Sequence, residues 1–226
     1  MKDFIIIIPA YNSSNTIEKL LTTIKSLYRG IDIVVIDDGS RDYTVKVLEK
    51  FKNVDVLRNK VNRGKGYSLK KGLLYAKKMG YRYAITIDSD LQHPPEKIGE
   101  FIKANNGGDY EFVSGWRDFS PKIMPFHRIL SNTITSLLIS LRTGKRIHDS
   151  QCGFRLYKLE NFKIGYYKEN GFQFESEYLI RTLLKPDINF REIKIPTIYS
   201  RGSKSSINNL LDTIKFTMLF FRSYLW

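Results

Sequence analysis

Hydrophobic positions in the first half of the chain come in two alternating forms. Short apolar runs at 4–8 (FIIII), 31–37 (IDIVVID), 54–57 (VDVL) and 83–87 (YAITI) have the length and β-branched composition of buried strands. Between them, apolar residues recur every three or four positions. Ile17, Leu20, Leu21, Ile24 and Leu27 do so in "SSNTIEKLLTTIKSL", and "YTVKVLEKF" and "GYSLKKGLLYAKKM" follow the same rule. Ser and Asn ahead of the first such stretch are helix-capping types. This strand–helix alternation predicts an α/β fold with a mainly parallel sheet and helices on both faces. Ligands of such sheets bind beyond the carboxyl ends of the strands.

Three of those strand ends carry residues that packing does not require: Pro9-Ala10-Tyr11-Asn12, Asp37-Asp38-Gly39-Ser40 and Asp88-Ser89-Asp90. All three are expected to face one crevice. Asp88 and Asp90 repel each other unless a lysine, a helix N-terminus or a metal stands beside them. Asp37 reads as a turn-capping residue. No G-x-G-x-x-G follows the first strand and no G-x-x-x-x-G-K-[ST] occurs, which argues against a dinucleotide site and a P-loop. "NRGKGYS" (62–68) reads either as a solvated turn or as a loop meeting phosphates through backbone N–H groups and Lys65.

The second half holds two amphipathic stretches. "PFHRILSNTITSLLISLRTGKR" (125–146) is apolar but interrupted by Ser, Asn and Thr, and ends in Arg142, Lys145 and Arg146. "INNLLDTIKFTMLFFRSYLW" places Ile207, Leu210, Leu211, Ile214, Met218, Phe221 and Leu225 on one helical face, widened by Leu219, Phe220 and Trp226. Each reads as a helix lying in a membrane interface or as one packed on the core. No apolar run reaches the roughly 18 residues of a span. A chain of 226 residues suits one large domain, or a domain with an appendage. Its formal charge of +14 suggests an anionic partner. With Cys152 as the only cysteine, no intrachain disulfide forms, which favours a reducing compartment. The N-terminal apolar run, ended by Pro9, is too short for a signal peptide.

"IIIPAYNSSNTI", "IVVIDDGSRDYT", "NRGKGYSLKKGL" and "ITIDSDLQHPPE", in that order, resemble the family 2 glycosyltransferases of the GT-A fold. "VSGWRD", "DSQCGFRLYK" and "YSRGSKSS" are similar to the dolichyl- and polyprenyl-phosphate hexose synthases within that family. The resemblance implies a Rossmann-like GT-A domain over 1–206, with a nucleotide-sugar half (1–114) and an acceptor half (115–206). An interfacial helix is expected near 125–142, and an amphipathic membrane-interface helix over 207–226. The implied reaction is inverting transfer of mannose or glucose from a GDP- or UDP-sugar to dolichyl or polyprenyl phosphate at the cytoplasmic membrane face. Mg²⁺ or Mn²⁺ would stabilise the departing diphosphate.

By the same resemblance, Asp90, Gln92 and Asp88 bind the metal, with Asp88 nearer the ribose or sugar. Pro9, Ala10, Tyr11, Asp38, Gly39, Lys65, Asp88 and Ser89 hold the donor. Arg117, Arg128, Ser131, Arg201 and Lys204 hold the acceptor phosphate, and Asp88, Asp90 and Arg117 are the catalytic set. Ser13 stands where this family often has an acidic residue. His93 reads as a loop residue before Pro94, which starts the next helix. Arg155 reads equally as a phosphate contact or a structural residue. An ionised phosphate acceptor needs no general base, whereas a hydroxyl acceptor would need one, and Glu175 or Glu177 would be the candidates. A family 2 enzyme acting on a glycan or lipid hydroxyl is therefore the nearest alternative. A nucleic-acid-binding protein would use the +14 charge, but carboxylates in the central crevice oppose it.

Overall fold

One seven-stranded sheet runs through the protein in the order β3-β2-β1-β4-β6-β5-β7. The structure, a computed structural model, describes residues 2–198 and 209–226. Its strands are β1 (Lys2–Ala10), β2 (Asp32–Asp37), β3 (Asp55–Arg58), β4 (Tyr81–Thr86), β5 (Phe112–Arg117), β6 (Arg155–Lys158) and β7 (Phe190–Ile195). Only β6 is antiparallel to its neighbours. The helices are α1 (Ile17–Leu27), α2 (Thr44–Leu48), α3 (Lys65–Lys78), α4 (Ile98–Asn106), α5 (Phe126–Thr143), α6 (Gln173–Leu183) and α7 (Asn209–Arg222). The four expected strands lie within two residues of β1 to β4. A division between residues 114 and 115 falls inside β5, so the two expected halves share one sheet.

Strand β1 shows why the sheet is covered on both faces. Its side chains alternate, and Ile5, Ile6, Ile7 and Ile8 are all fully buried. Ile5 and Ile7 join a cluster with Leu69, Leu73, Phe112 and Tyr157; Ile6 and Ile8 join another with Leu20, Leu21, Ile24 and Phe101. Burying each such side chain stabilises the fold by roughly 1.5–3 kcal/mol. Chain order reverses at β1, which lies between β2 and β4. Ala10 pairs with Asp37, so β1 and β2 end level, while β4 ends three residues earlier with Thr86 opposite Ile7, at the same end of the sheet beside this switch point.

Helix α5 turns its polar side inward. Asn132, Ser136 and Ile139 are its buried residues. Ser136 Oγ accepts from Ser150 N at 2.9 Å, Thr135 Oγ1 from Gln151 Nε2 at 3.0 Å and Ser140 Oγ from Ile147 N at 2.9 Å. Outward stand Phe126, Leu130, Ile134, Leu137 and Leu141, which are 47–74% exposed.

Helix α7 exposes Leu211, Ile214, Met218 and Phe221. It buries Phe216, Leu219 and Phe220, and this corrects the sequence reading that set Leu219 and Phe220 on a widened outer face. The cause is docking on α6: Gln173 Nε2 donates to Asp212 Oδ1 at 3.0 Å, and the Arg181 guanidinium lies 3.6 Å from the Trp226 ring centre. Trp226 is likewise packed against the core. Ile207 and the Leu210 side chain lie outside the described residues.

Candidate active site

The loops after β1 and β2 are stitched together by backbone and short side chains. Asp38 N donates to Ala10 O at 2.8 Å, Asn12 N to Ser40 Oγ at 2.9 Å and Arg41 N to Asn12 Oδ1 at 2.9 Å. Gly39 has φ 73°, and a Cβ there would come within 2.6 Å of the Val61 backbone, so only glycine lets the 61–64 loop close over this turn. Asp37 Oδ1 accepts from Ser40 N at 3.2 Å, the turn cap expected of it. Tyr11 is 41% exposed and so is no core residue, whereas Ala10 is buried. Pro9 closes the parallel register with Ile36 behind them.

Asp38 is buried and already engaged. Its Oδ1 accepts from Asn59 Nδ2 at 2.7 Å and Arg63 N at 3.0 Å, and its Oδ2 from Gly64 N at 2.8 Å. Asp38, expected to hold the donor, thus orders the basic loop around it through three donors. That loop leads into α3, whose first residue is Lys65.

Lys65 answers the question raised by the paired aspartates. Its ammonium lies 2.7 Å from Asp88 Oδ1 and 3.0 Å from Glu175 Oε2, with Glu175 coming from α6. Burial alone would lower the lysine, but Asp88 and Glu175 outweigh it and raise its pKa. Burial would raise Asp88, but Lys65 outweighs it and holds that carboxyl below its usual range. A Cβ on Gly153 would come within 2.7 Å of Asp88 Oδ2 and 2.8 Å of Lys65 Nζ, so this pair packs directly against the glycine.

Asp90, by contrast, is solvent-exposed, and its Oδ1 accepts from Gln92 N at 3.0 Å. Leu91 turns the loop through a left-handed φ of 64°. Ser89 Oγ lies 2.8 Å from Ser13 Oγ, so the residue that replaces the acidic one joins the aspartate loop to the loop after β1.

His93 is buried beneath this loop, and its Nδ1 accepts from Asp88 N at 3.3 Å. Burial pushes its pKa down to about 4, so the ring is neutral near pH 7. A short 3₁₀ turn at Pro95–Lys97 follows, with Pro94 capping it. Among the described residues no three His, Cys, Asp or Glu side chains are gathered to hold a metal. Mg²⁺ and Mn²⁺ do not need such a cage: they take a few hard oxygens from protein and the rest from phosphate and water. Asp88, Asp90 and the Gln92 amide fit that chemistry.

On the other side of the crevice, Arg117 grips Asp149. Nε donates to Oδ2 at 2.7 Å and Nη2 to Oδ1 at 3.2 Å. Burial would lower the guanidinium, but Asp149 outweighs it and the pKa is raised; Asp88 adds to the same effect. The fork uses Nε and Nη2 and leaves Nη1 without a hydrogen bond among the described residues. Asp149 was not singled out from the sequence; its acidic side chain just before "SQCGFR" was the available signal.

Arg155 is fully buried and donates to three carbonyls, those of Cys152, Glu175 and Ser150, at 2.7–2.8 Å. It is structural. Glu177 is structural too: Oε2 accepts from Lys168 N and Glu169 N at 2.9 Å, and Oε1 faces Arg181 at 3.1 Å. Arg128 and Ser131 lie on the first turns of α5, on the side that continues to Thr135 and the 149–151 loop. Arg201 and Lys204 lie outside the described residues.

Residues 5–165 match the glycosyl transferase family 2 profile. The chain belongs to that family. It is a glycosyltransferase, and its mixed sheet is the GT-A fold. The UDP-N-acetylglucosamine–dolichyl-phosphate N-acetylglucosaminyltransferase of Methanococcus voltae is 28% identical over 93% of this chain and 91% of its own length. The undecaprenyl-phosphate 4-deoxy-4-formamido-L-arabinose transferase of Proteus mirabilis is 32% identical over 68% of this chain, which spans 48% of that protein. Glucosyl-3-phosphoglycerate synthase of Mycobacterium tuberculosis, solved with Mn²⁺, UDP and phosphoglyceric acid, superposes with a TM-score of 0.74, at 19% identity, over 99% of this chain and 78% of that one. In this glycosyltransferase the crevice at β1, β2 and β4 lies at the carboxyl ends of the sheet strands.

Proposed function

We propose that this glycosyltransferase moves a hexose from a nucleoside diphosphate sugar to a polyprenyl phosphate at a membrane surface, with inversion at the anomeric carbon. One observation carries the choice of acceptor: each of the three acids that could serve as a base, Asp149, Glu175 and Glu177, meets a cation among the described residues. Asp149 faces Arg117, Glu175 faces Lys65, and Glu177 is tied to Arg181 and two backbone amides. A hydroxyl nucleophile needs a base to take its proton. A phosphate monoester is ionised near neutral pH and needs cations instead. Arg117 suits that role through its planar donors. Relatives named for dolichyl and undecaprenyl phosphate support the same acceptor, and the M. voltae name supports a uridine nucleotide donor.

In the reaction, an acceptor phosphate oxygen forms the new bond to the anomeric carbon as the bond to the donor diphosphate breaks. The diphosphate leaves with the bonding electron pair, and no proton is removed from the nucleophile. Asp88, Asp90 and Gln92 would hold Mg²⁺ or Mn²⁺, whose charge supports the leaving diphosphate. Tyr11, Gly39 and Ser89 line the donor side, with the Pro9–Ala10 backbone behind them, and Arg117, Arg128 and Ser131 line the acceptor side.

The outward apolar stripes of α5 and α7 support the membrane reading. No helix among the described residues is long and apolar enough to cross a membrane. Helices that expose large apolar residues beside basic ones bind lipid in the plane of the interface. Lys145 and Arg146 follow α5, and Lys215 lies in α7.

The test is a screen of UDP- and GDP-hexoses against a short polyprenyl phosphate with Mn²⁺. Product should form with one sugar, stop with excess EDTA, and fall about ten- to a hundredfold in Arg117→Ala, the cost of one charge-assisted contact. Full activity in excess EDTA would contradict the metal assignment.

A further inference from the structure

Glu175 has one engaged oxygen and one without a partner. Oε2 meets Lys65 at 3.0 Å, while Oε1 is buried with no hydrogen bond among the described residues. The residue is only 6% exposed. A buried, unsatisfied carboxylate oxygen is costly and calls for a physical reason. Burial this deep also suits no general base, which must reach its substrate.

Lys65 supplies the reason. Its ammonium meets both Asp88 oxygens, at 2.7 and 3.0 Å, as well as Glu175 Oε2. An Asp88 carboxylate held on both oxygens by an ammonium is a poor ligand for a divalent cation, since the two positive charges repel. Loading the cleft requires Lys65 to withdraw from Asp88, and a buried ammonium cannot be left unpaired. Glu175 is next to it, anionic, with an open oxygen. Its backbone is fixed by Arg155, which donates to Glu175 O at 2.7 Å, so the carboxylate stays in place while the lysine moves.

We propose that Glu175 is a positioning residue that takes the Lys65 ammonium onto both of its oxygens when Asp88 turns to a metal–nucleotide complex. Lys65 stands between Asp88 and Glu175 in the structure, and with a metal–nucleotide complex bound it moves onto Glu175. The proposal rests on the metal and nucleotide reading of this cleft given above.

The experiment measures Mn²⁺ binding by loss of the free-ion electron paramagnetic resonance signal, at saturating UDP or GDP, for the full chain. In Glu175→Gln the lysine has only a neutral partner to retreat to and stays on Asp88. The Mn²⁺ concentration for half-saturation should rise about tenfold or more, the scale of one charge-assisted contact. In a Lys65→Met background the competing ammonium is gone, and adding Glu175→Gln should change that concentration less than about twofold, as removal of the coupled partner requires. Thermal melting confirms that each variant is folded. A merely structural glutamate would lower the melting temperature, leave Mn²⁺ half-saturation unchanged in the single variant, and overturn the proposal. An equal rise in both backgrounds would overturn it as well. If the wild type binds neither nucleotide with Mn²⁺, the cleft assignment itself fails, a result separate from wild-type binding with an unresponsive Glu175→Gln.

Discussion

Helices α1 and α5 are both two-faced in sequence, and they face opposite ways. Helix α1 buries Ile17, Leu20, Leu21 and Ile24 and exposes Glu18 and Lys19. Helix α5 buries Asn132 and Ser136 and exposes Leu130, Ile134 and Leu137. What each helix rests on makes the difference. Helix α1 lies on the apolar face of the sheet, against Ile6 and Ile8. Helix α5 lies on the 147–151 loop, whose amides and hydroxyls need polar partners. Periodicity reveals that a helix has two sides; the neighbour decides which side turns inward. An apolar side left outward is the feature that needs a second surface.

The contrast can be broken by substitution. Leu20→Ala in α1 should cost about 2–5 kcal/mol of unfolding free energy, read from denaturant melts, because it leaves a cavity beneath the sheet. Ser136→Leu in α5 would be stabilising if that face were an ordinary core. Here it should cost about 1–3 kcal/mol, since the Ser150 amide loses its acceptor. Ile134→Asp with Leu137→Asp should change stability by no more than about 0.5 kcal/mol each, as expected of exposed positions. The same pair should weaken sedimentation with anionic phospholipid vesicles; unchanged sedimentation with lost stability would mean that the stripe is core.

Much of the cleft was legible because three strands end in polar residues where packing wants apolar ones. Asp88 and Asp90 were singled out on that logic and Lys65 from the basic loop at 62–68, and the fold brings Lys65 and Asp88 together. The pairing of Lys65 with Glu175 was not legible, since no local spacing links α3 to the start of α6. The partners of Asp38 were not legible, since two backbone amides and an asparagine carry no pattern. Arg155 could not be assigned from its neighbours in sequence; three buried carbonyls decide it. The inward turn of Asn132 and Ser136 was hidden because the 147–151 loop they meet has no periodicity to read.

The central claim is that the nucleophile is a phosphate that needs no base. It is tested most directly by offering the wild-type chain one nucleotide-sugar with either a short polyprenyl phosphate or the matching polyprenol, in the same vesicles with Mn²⁺. Held acids at Asp149, Glu175 and Glu177 predict glycosyl transfer to the phosphate and none to the alcohol. Transfer to polyprenol at a comparable rate would contradict the account.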